Sequence, residues 1–350
     1  MKTTWKRIAV LLIVLLAMIA LVLPAAATPV PFQTVLVSVK APGTTEDGLA
    51  YDVYDIVGRN TPYNPAGETD SISGWFKLFD GENYGLEPQH RIAAFAVDGG
   101  NYIPVADSCE GPGCYGVDTI YMAFDVHARH VPGITPKVKG QDIVALDTSV
   151  GSTEATEGDF EMFFDGSDVG LTKSTEKIDG LDVWRGLPTA NDVNLPTDCS
   201  AGILFISTKG NYRVTSAFGP ALVGDGSDVL IFCATNLGED TAGFWFRGFD
   251  SSELPVKPVS SMSGIDVQWM GIVTGNDTID EESALLGFYF TARTQFTAPF
   301  VAGGPSEVFA YPDGGGGVFG PLDDLNDWSP ALNGTVTGFE IPQFLSTPSS

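Results

Sequence analysis

A short aromatic segment returns at a fixed period along this chain. Trp75-Phe-Lys-Leu-Phe-Asp-Gly81 recurs as Phe160-Glu-Met-Phe-Phe-Asp-Gly166 and again as Trp245-Phe-Arg-Gly-Phe-Asp250, so that Asp80, Asp165 and Asp250 stand 85 residues apart. A repeat of this kind constrains architecture before any strand is assigned. Each copy is one supersecondary unit that buries its apolar faces against its neighbours.

Around the aromatic strand, called A, three further β-runs recur in the order D, A, B, C. Strand D opens on an acid, at Asp55, Asp142, Asp228 and Glu307. Strand B is read at 92–97, 178–183, 265–267 and 337–341, and strand C at 120–125, 203–207 and 286–291. The fourth unit lacks a C strand at its end, and 35–38 supplies one at the other end of the chain. The expected organisation is a single β-repeat domain over 28–344, with units of about 55–125, 142–207, 228–291, and 306–344 completed by 33–40, then a polar tail at 345–350. A unit split between the two ends favours a closed ring, because pairing the terminal strands removes free sheet edges. The fold expected is therefore all-β, a four-bladed β-propeller whose closing blade takes two strands from each end. Each unit is long for a propeller blade, since about 40–50 residues is usual. Tandem β-sandwiches, or one large sandwich, would use the same strand signals. No helical periodicity is sustained after residue 27, and 41 glycines and 23 prolines punctuate the strands.

The first 27 residues read as a signal peptide. Lys2, Lys6 and Arg7 precede an apolar run from Ile8 to Leu23, and Ala25, Ala26 and Ala27 offer a small-residue cleavage site. An uncleaved anchor is the alternative. Cleavage implies a secreted or cell-envelope protein with no later membrane insertion, and leaves 15 basic against 44 acidic side chains. Such a surface repels phosphate backbones and excludes nucleic acid as a partner. Outside the reducing cytosol the four cysteines are free to pair. Cys109 with Cys114 and Cys199 with Cys233 is the preferred pairing, because Cys199 precedes strand C and Cys233 closes strand D of one unit. Buried thiols are the alternative.

At Phe164-Asp-Gly-Ser-Asp-Val-Gly-Leu171, with Ile178-Asp-Gly-Leu-Asp182 and Leu204-Phe-Ile-Ser-Thr208 after it, the chain resembles a group of uncharacterised secreted bacterial repeat proteins built from tandem units of this type. The likeness spans nearly the whole mature chain and is best in the second unit. It implies an extracellular β repeat and brings no activity, substrate or catalytic residue.

The turn after strand A carries recurrent oxygen ligands, Asp80 with Asn83, Asp165 with Asp168, and Asp250 with Glu253. Acidic turns suit calcium, which takes six to eight oxygens. Asp and Asn in turns also cap backbone N–H groups, and the strand D acids fit the same description. Trp184 and Trp269, 85 apart, open two long B-to-C loops. An indole beside carboxylates suits a sugar ring, and filling a gap between units is the alternative. His127 and His130 fall on opposite faces of an extended strand with His90 far off in sequence, which argues against zinc. None of the motifs for zinc proteases, serine hydrolases, P-loops or dinucleotide binding occurs. The expected function is an extracellular binding or structural module, without a cofactor or stabilised by Ca2+, meeting a glycan or a protein. The alternative is a polysaccharide-acting hydrolase using loop carboxylates.

Overall fold

The chain's apolar runs form strands that are covered on both sides. In Thr34–Val39, Val35, Val37 and Val39 join one core while Leu36 joins another; in Gly202–Thr208, Ile203 and Phe205 split from Leu204 and Ile206 in the same way. Alternate side chains leave a strand on opposite faces, so a strand apolar at every position needs a neighbour on each face.

The computed structural model describes residues 34–60, 74–99, 117–127, 129–135, 137–148, 160–185, 199–216, 219–250, 262–270 and 285–293, together with strand segments at 273–274, 278–279, 296–298, 301–303, 307–312, 319–324 and 336–340. The fold is all-β. Among the described residues the helical turns are two short 3-10 segments, Gly81–Tyr84 and Ser174–Glu176.

Among the described residues sixteen strands form four antiparallel sheets of four, accompanied by small two-stranded ribbons. In chain order they are β1 (Thr34–Val39), β2 (Ile56–Asn60), β3 (Trp75–Phe79), β4 (Ile92–Gly99), β5 (Val117–Phe124), β6 (Ile143–Asp147), β7 (Phe160–Phe164) and β8 (Ile178–Trp184). Then follow β9 (Gly202–Thr208), β10 (Val229–Asn236), β11 (Ala242–Phe249), β12 (Met262–Met270), β13 (Leu285–Ala292), β14 (Glu307–Pro312), β15 (Phe319–Asp324) and β16 (Val336–Glu340). Three sheets are sequential, β4-β5-β6-β7, β8-β9-β10-β11 and β12-β13-β14-β15, while the remaining one has the order β16-β1-β2-β3. Its C-terminal strand is in register with the N-terminal one, Ser38 opposite Gly338 and Leu36 opposite Glu340.

The sheets thus group the repeat as B-C-D-A, and the expected grouping D-A-B-C is corrected. One strand from the C-terminal end joins three from the N-terminal end, in place of two and two. The conspicuous aromatic strand A lies at a sheet's edge, and the turn after it passes to the next sheet.

The four B strands pack together. β4 lies against β8 and β16, and β12 lies against β8 and β16. Successive sheets enclose successive cores, with Phe79, Ile92, Phe95 and Phe124 in the first, Phe164, Leu181, Phe232 and Trp245 in the second, and Phe205, Ile265, Phe290 and Phe309 in the third. A fourth core, with Val37, Val57, Trp75 and Val336, covers the other face of the β16-β1-β2-β3 sheet, and Tyr289 of β13 packs against it. Glycines set the spacing of the B strands. A Cβ on Gly180 would lie 2.7 Å from Ile265 Cγ1, and one on Gly338 would lie 2.5 Å from Phe95 Cδ1, each a side chain of the next B strand.

Candidate functional site

The recurrent motif after strand A is a structural latch. The Asp80 carboxylate accepts the Glu82 N–H through Oδ1 at 3.2 Å and the Lys77 ammonium through Oδ2 at 3.1 Å. Asp165 Oδ1 accepts the Ser167 N–H at 2.9 Å. The following glycines come so close to the turn before strand D that a Cβ would lie 2.5 Å from Tyr54 O at Gly81 and 2.3 Å from Gln141 O at Gly166. Gly85 and Gly170 adopt positive φ, 73° and 100°, and Leu86 and Leu171 then enter the core, each donating its N–H to the carbonyl of Gly81 or Gly166.

The strand D acids complete the latch. Asp55 accepts the Gly81 N–H at 3.0 Å and the Asp52 N–H at 2.8 Å, and Asp142 accepts the Gly166 N–H at 3.2 Å and the Lys139 N–H at 2.8 Å. Asp228 accepts the Asp225 N–H and the Tyr212 hydroxyl, each at 3.1 Å. Burial, aided by the negative charge of Asp165, pushes the Asp142 carboxyl up to about 6 against the pull of its N–H donors. The side chain of Glu307 lies outside the described residues.

The calcium candidates are accordingly held in protein contacts wherever they are described. Asp168 Oδ2 accepts the Thr241 N–H at 3.0 Å, Asn83 donates its backbone N–H to Asp80 O, and Asp250 pairs with Arg247. Glu253 lies outside the described residues. Among the described residues no three His, Cys, Asp or Glu side chains are grouped as a metal cage. Trp184 ends β8, donates its indole N–H to Asp182 at 3.0 Å, and packs edge-on against Phe205 at 4.9 Å, part of the core between the β8-β9-β10-β11 and β12-β13-β14-β15 sheets. Trp269 lies in β12 opposite Leu286, with its side chain outside the described residues. Cys199 and Cys233 form the expected disulfide, Cα atoms 4.7 Å apart, beside the Ile203–Cys233 register pair. Cys109 and Cys114 lie outside the described residues. His90 is engaged at both ring nitrogens, by the Glu87 N–H and by the His130 carbonyl, so the fold brings these distant segments together.

A second constellation was not foreseen, and it lies where the B strands begin and the C strands end. In two repeats this place is closed by hydroxyls: Ser263 donates to Val336 O at 3.1 Å and Thr337 to Ile92 O at 2.8 Å. In β8 the equivalent residue is Asp179, fully buried, which cannot donate. Ser207 instead reaches Met262 O at 3.3 Å, and both carboxylate oxygens of Asp179 take the guanidinium of Arg293, from the residue after β13. Beside this pair Asp125, the residue after β5, gathers three cations. Arg91 pairs with it, Lys177 Nζ lies 3.1 Å away, and Lys209 Nζ reaches both oxygens at 3.1 Å. Burial alone would raise the Asp125 carboxyl, but the hydrogen bonds and charges of Lys177 and Lys209 outweigh it and hold it well below the usual carboxylate range. Burial pushes Asp179 up, while Arg293 opposes.

These six residues come from three sheets and share one cluster. The signal in the sequence was the break in repeat chemistry. Asp179 replaces Ser263 and Thr337, and Asp125, Lys209 and Arg293 follow their C strands at intervals of 84. No family model, no curated protein and no solved structure matches this chain.

Proposed function

We propose that the chain is an exported four-bladed β-propeller acting as an extracellular binding module, with its ligand site at the charged end of the propeller axis. The reading of a ring is supported by the cyclic packing of the four B strands and by four cores, each between two successive sheets. A sandwich would leave one face of each sheet to solvent, whereas the β16-β1-β2-β3, β4-β5-β6-β7 and β8-β9-β10-β11 sheets each contribute side chains to a core on both faces.

The observation that carries a binding role is the charged cluster itself. Hydroxyl closures serve the same position in other repeats at little electrostatic cost, and burying ions in their place is a poor route to stability. Selection for a ligand accounts for the exchange. The latch acids then serve the fold.

A glycan array and a turnover screen on the same polymers test the module against the hydrolase. Binding without product is expected. Product formation that disappears on a single Asp→Asn change in a B-to-C loop would replace the module with the enzyme. N-terminal sequencing of protein recovered outside the producing cell should begin at Thr28.

A further inference from the structure

We infer that the axial charge cluster is a receptor for a small oxyanion carrying about two negative charges, in the class of phosphate, sulfate or a dicarboxylate. The inference rests on the propeller reading above, because it needs three sheets to present their charges at one end of an axis.

Four cations, Arg91, Lys177, Lys209 and Arg293, meet two carboxylates, Asp125 and Asp179, which leaves an excess of two positive charges. The charges are also layered. The side chains of Asp179 and Asp125 are 0% and 10% exposed, whereas those of Arg293, Arg91 and Lys209 are 23%, 31% and 36% exposed. Asp179, Asp125 and Lys177, whose side chain is 9% exposed, form the floor, and Arg293, Arg91 and Lys209 form the rim. An arriving anion meets donors first, and the floor carboxylates hold those donors in place.

Donor capacity is left over. A guanidinium has five N–H donors and an ammonium three. Among the described residues, Arg91 uses only Nη2 on Asp125, Arg293 uses Nε and Nη2 on Asp179, and Lys177 makes one bond, to Asp125. Their remaining N–H groups suit the several acceptor oxygens of a tetrahedral or planar oxyanion. Over the rest of a chain with formal charge −26 a polyanion would be repelled. A small anion is screened from that charge beyond about 8 Å at physiological salt, and this selects the free ion over an anionic polymer.

Isothermal titration of the mature chain, residues 28–350, with potassium phosphate, sulfate and succinate at fixed ionic strength tests this. Saturable one-to-one binding by at least one of them is expected. Lys209→Gln should weaken it about tenfold or more, while Lys137→Gln, at an exposed lysine outside the cluster, should leave it unchanged. Lys209 is more than a third exposed and its loss leaves Asp125 two cations, so the variant is expected to fold; Arg91→Gln serves in its place if melting shows otherwise. No saturable heat with any of the three anions, or equal weakening by Lys137→Gln, overturns the receptor. Binding only by a sulfated or uronic oligosaccharide would overturn the choice of a free ion. Failure of the anions with a chain that needs β16 to melt cooperatively sinks the ligand and spares the ring. A chain that melts normally without β16 sinks the ring.

Discussion

Asp179 and Arg293 replace a hydroxyl closure by a buried ion pair, and the exchange has a measurable cost. Removing one partner strands the other. Asp179→Ser should destabilise the fold by about 2–3 kcal/mol, toward the low end for a broken buried pair because Arg293 is partly exposed. Asp179→Ser combined with Arg293→Met should recover most of that loss, and a double-mutant cycle in urea would measure the coupling. Two other acids set opposite pH limbs. Asp142 has a folded pKa near 6, above the ordinary 3.8, so the native state holds that proton more tightly than the unfolded chain. Its contribution is fully present below about pH 4, is lost as pH rises to 6, and is flat beyond. Asp125 is depressed, so its contribution is present above the ordinary carboxylate range and is lost as pH falls below it. Melting midpoints from pH 3 to 7 should show the fall between pH 4 and 6 become shallower in Asp142→Asn, the remainder coming from Asp55, Asp179 and Asp182, which burial also raises, and the acid-side loss shrink in Asp125→Asn.

At the scale of the element, the latch explains nearly every letter of the repeated Phe-Asp-Gly-Ser-Asp-Val-Gly-Leu. Phe164 and Leu171 enter the core, Asp165 caps, Gly166 permits backbone approach, Asp168 meets Thr241 and Gly170 turns the chain. Gly166→Ala should destabilise by about 1–3 kcal/mol, since its Cβ would strike the Gln141 carbonyl 2.3 Å away and the backbone has to move. Urea denaturation reads this directly. Because the latch carboxylates already hold N–H groups, millimolar calcium should leave the melting midpoint within about a degree of its value in chelator. A saturating rise would return Asp80, Asp165 and Asp250 to the metal reading by linkage.

At the scale of the whole molecule, β16 carries unusual weight. It is an edge strand of its own sheet, paired with β1, and packs against β4 and β12, yet it comes from the far end of the chain. A chain ending before Val336 should lose cooperative melting, because it exposes the edge of β1 and uncovers Phe95 beside Gly338. Calorimetry of the truncated and intact chains would show one sharp transition replaced by a broad one at lower temperature. Deleting residues 28–58, which removes β1 and most of β2, should act in the same direction.

Local chemistry was legible in the sequence. The strand positions, the all-β class and the Cys199–Cys233 bond are readable there because strands announce themselves through short apolar runs and turn residues. The grouping of strands was not, since the same four runs pair equally well when counted from D or from B, and only hydrogen-bond register decides where a sheet begins. Acidic turns stood out as ligand candidates because their carboxylates are visible in the sequence while the N–H groups that occupy them are not. The charged cluster was hidden for a related reason. Arg91, Asp125, Lys177, Asp179, Lys209 and Arg293 are spread over some 200 residues, and only the packing of sheet on sheet brings those charges to one place.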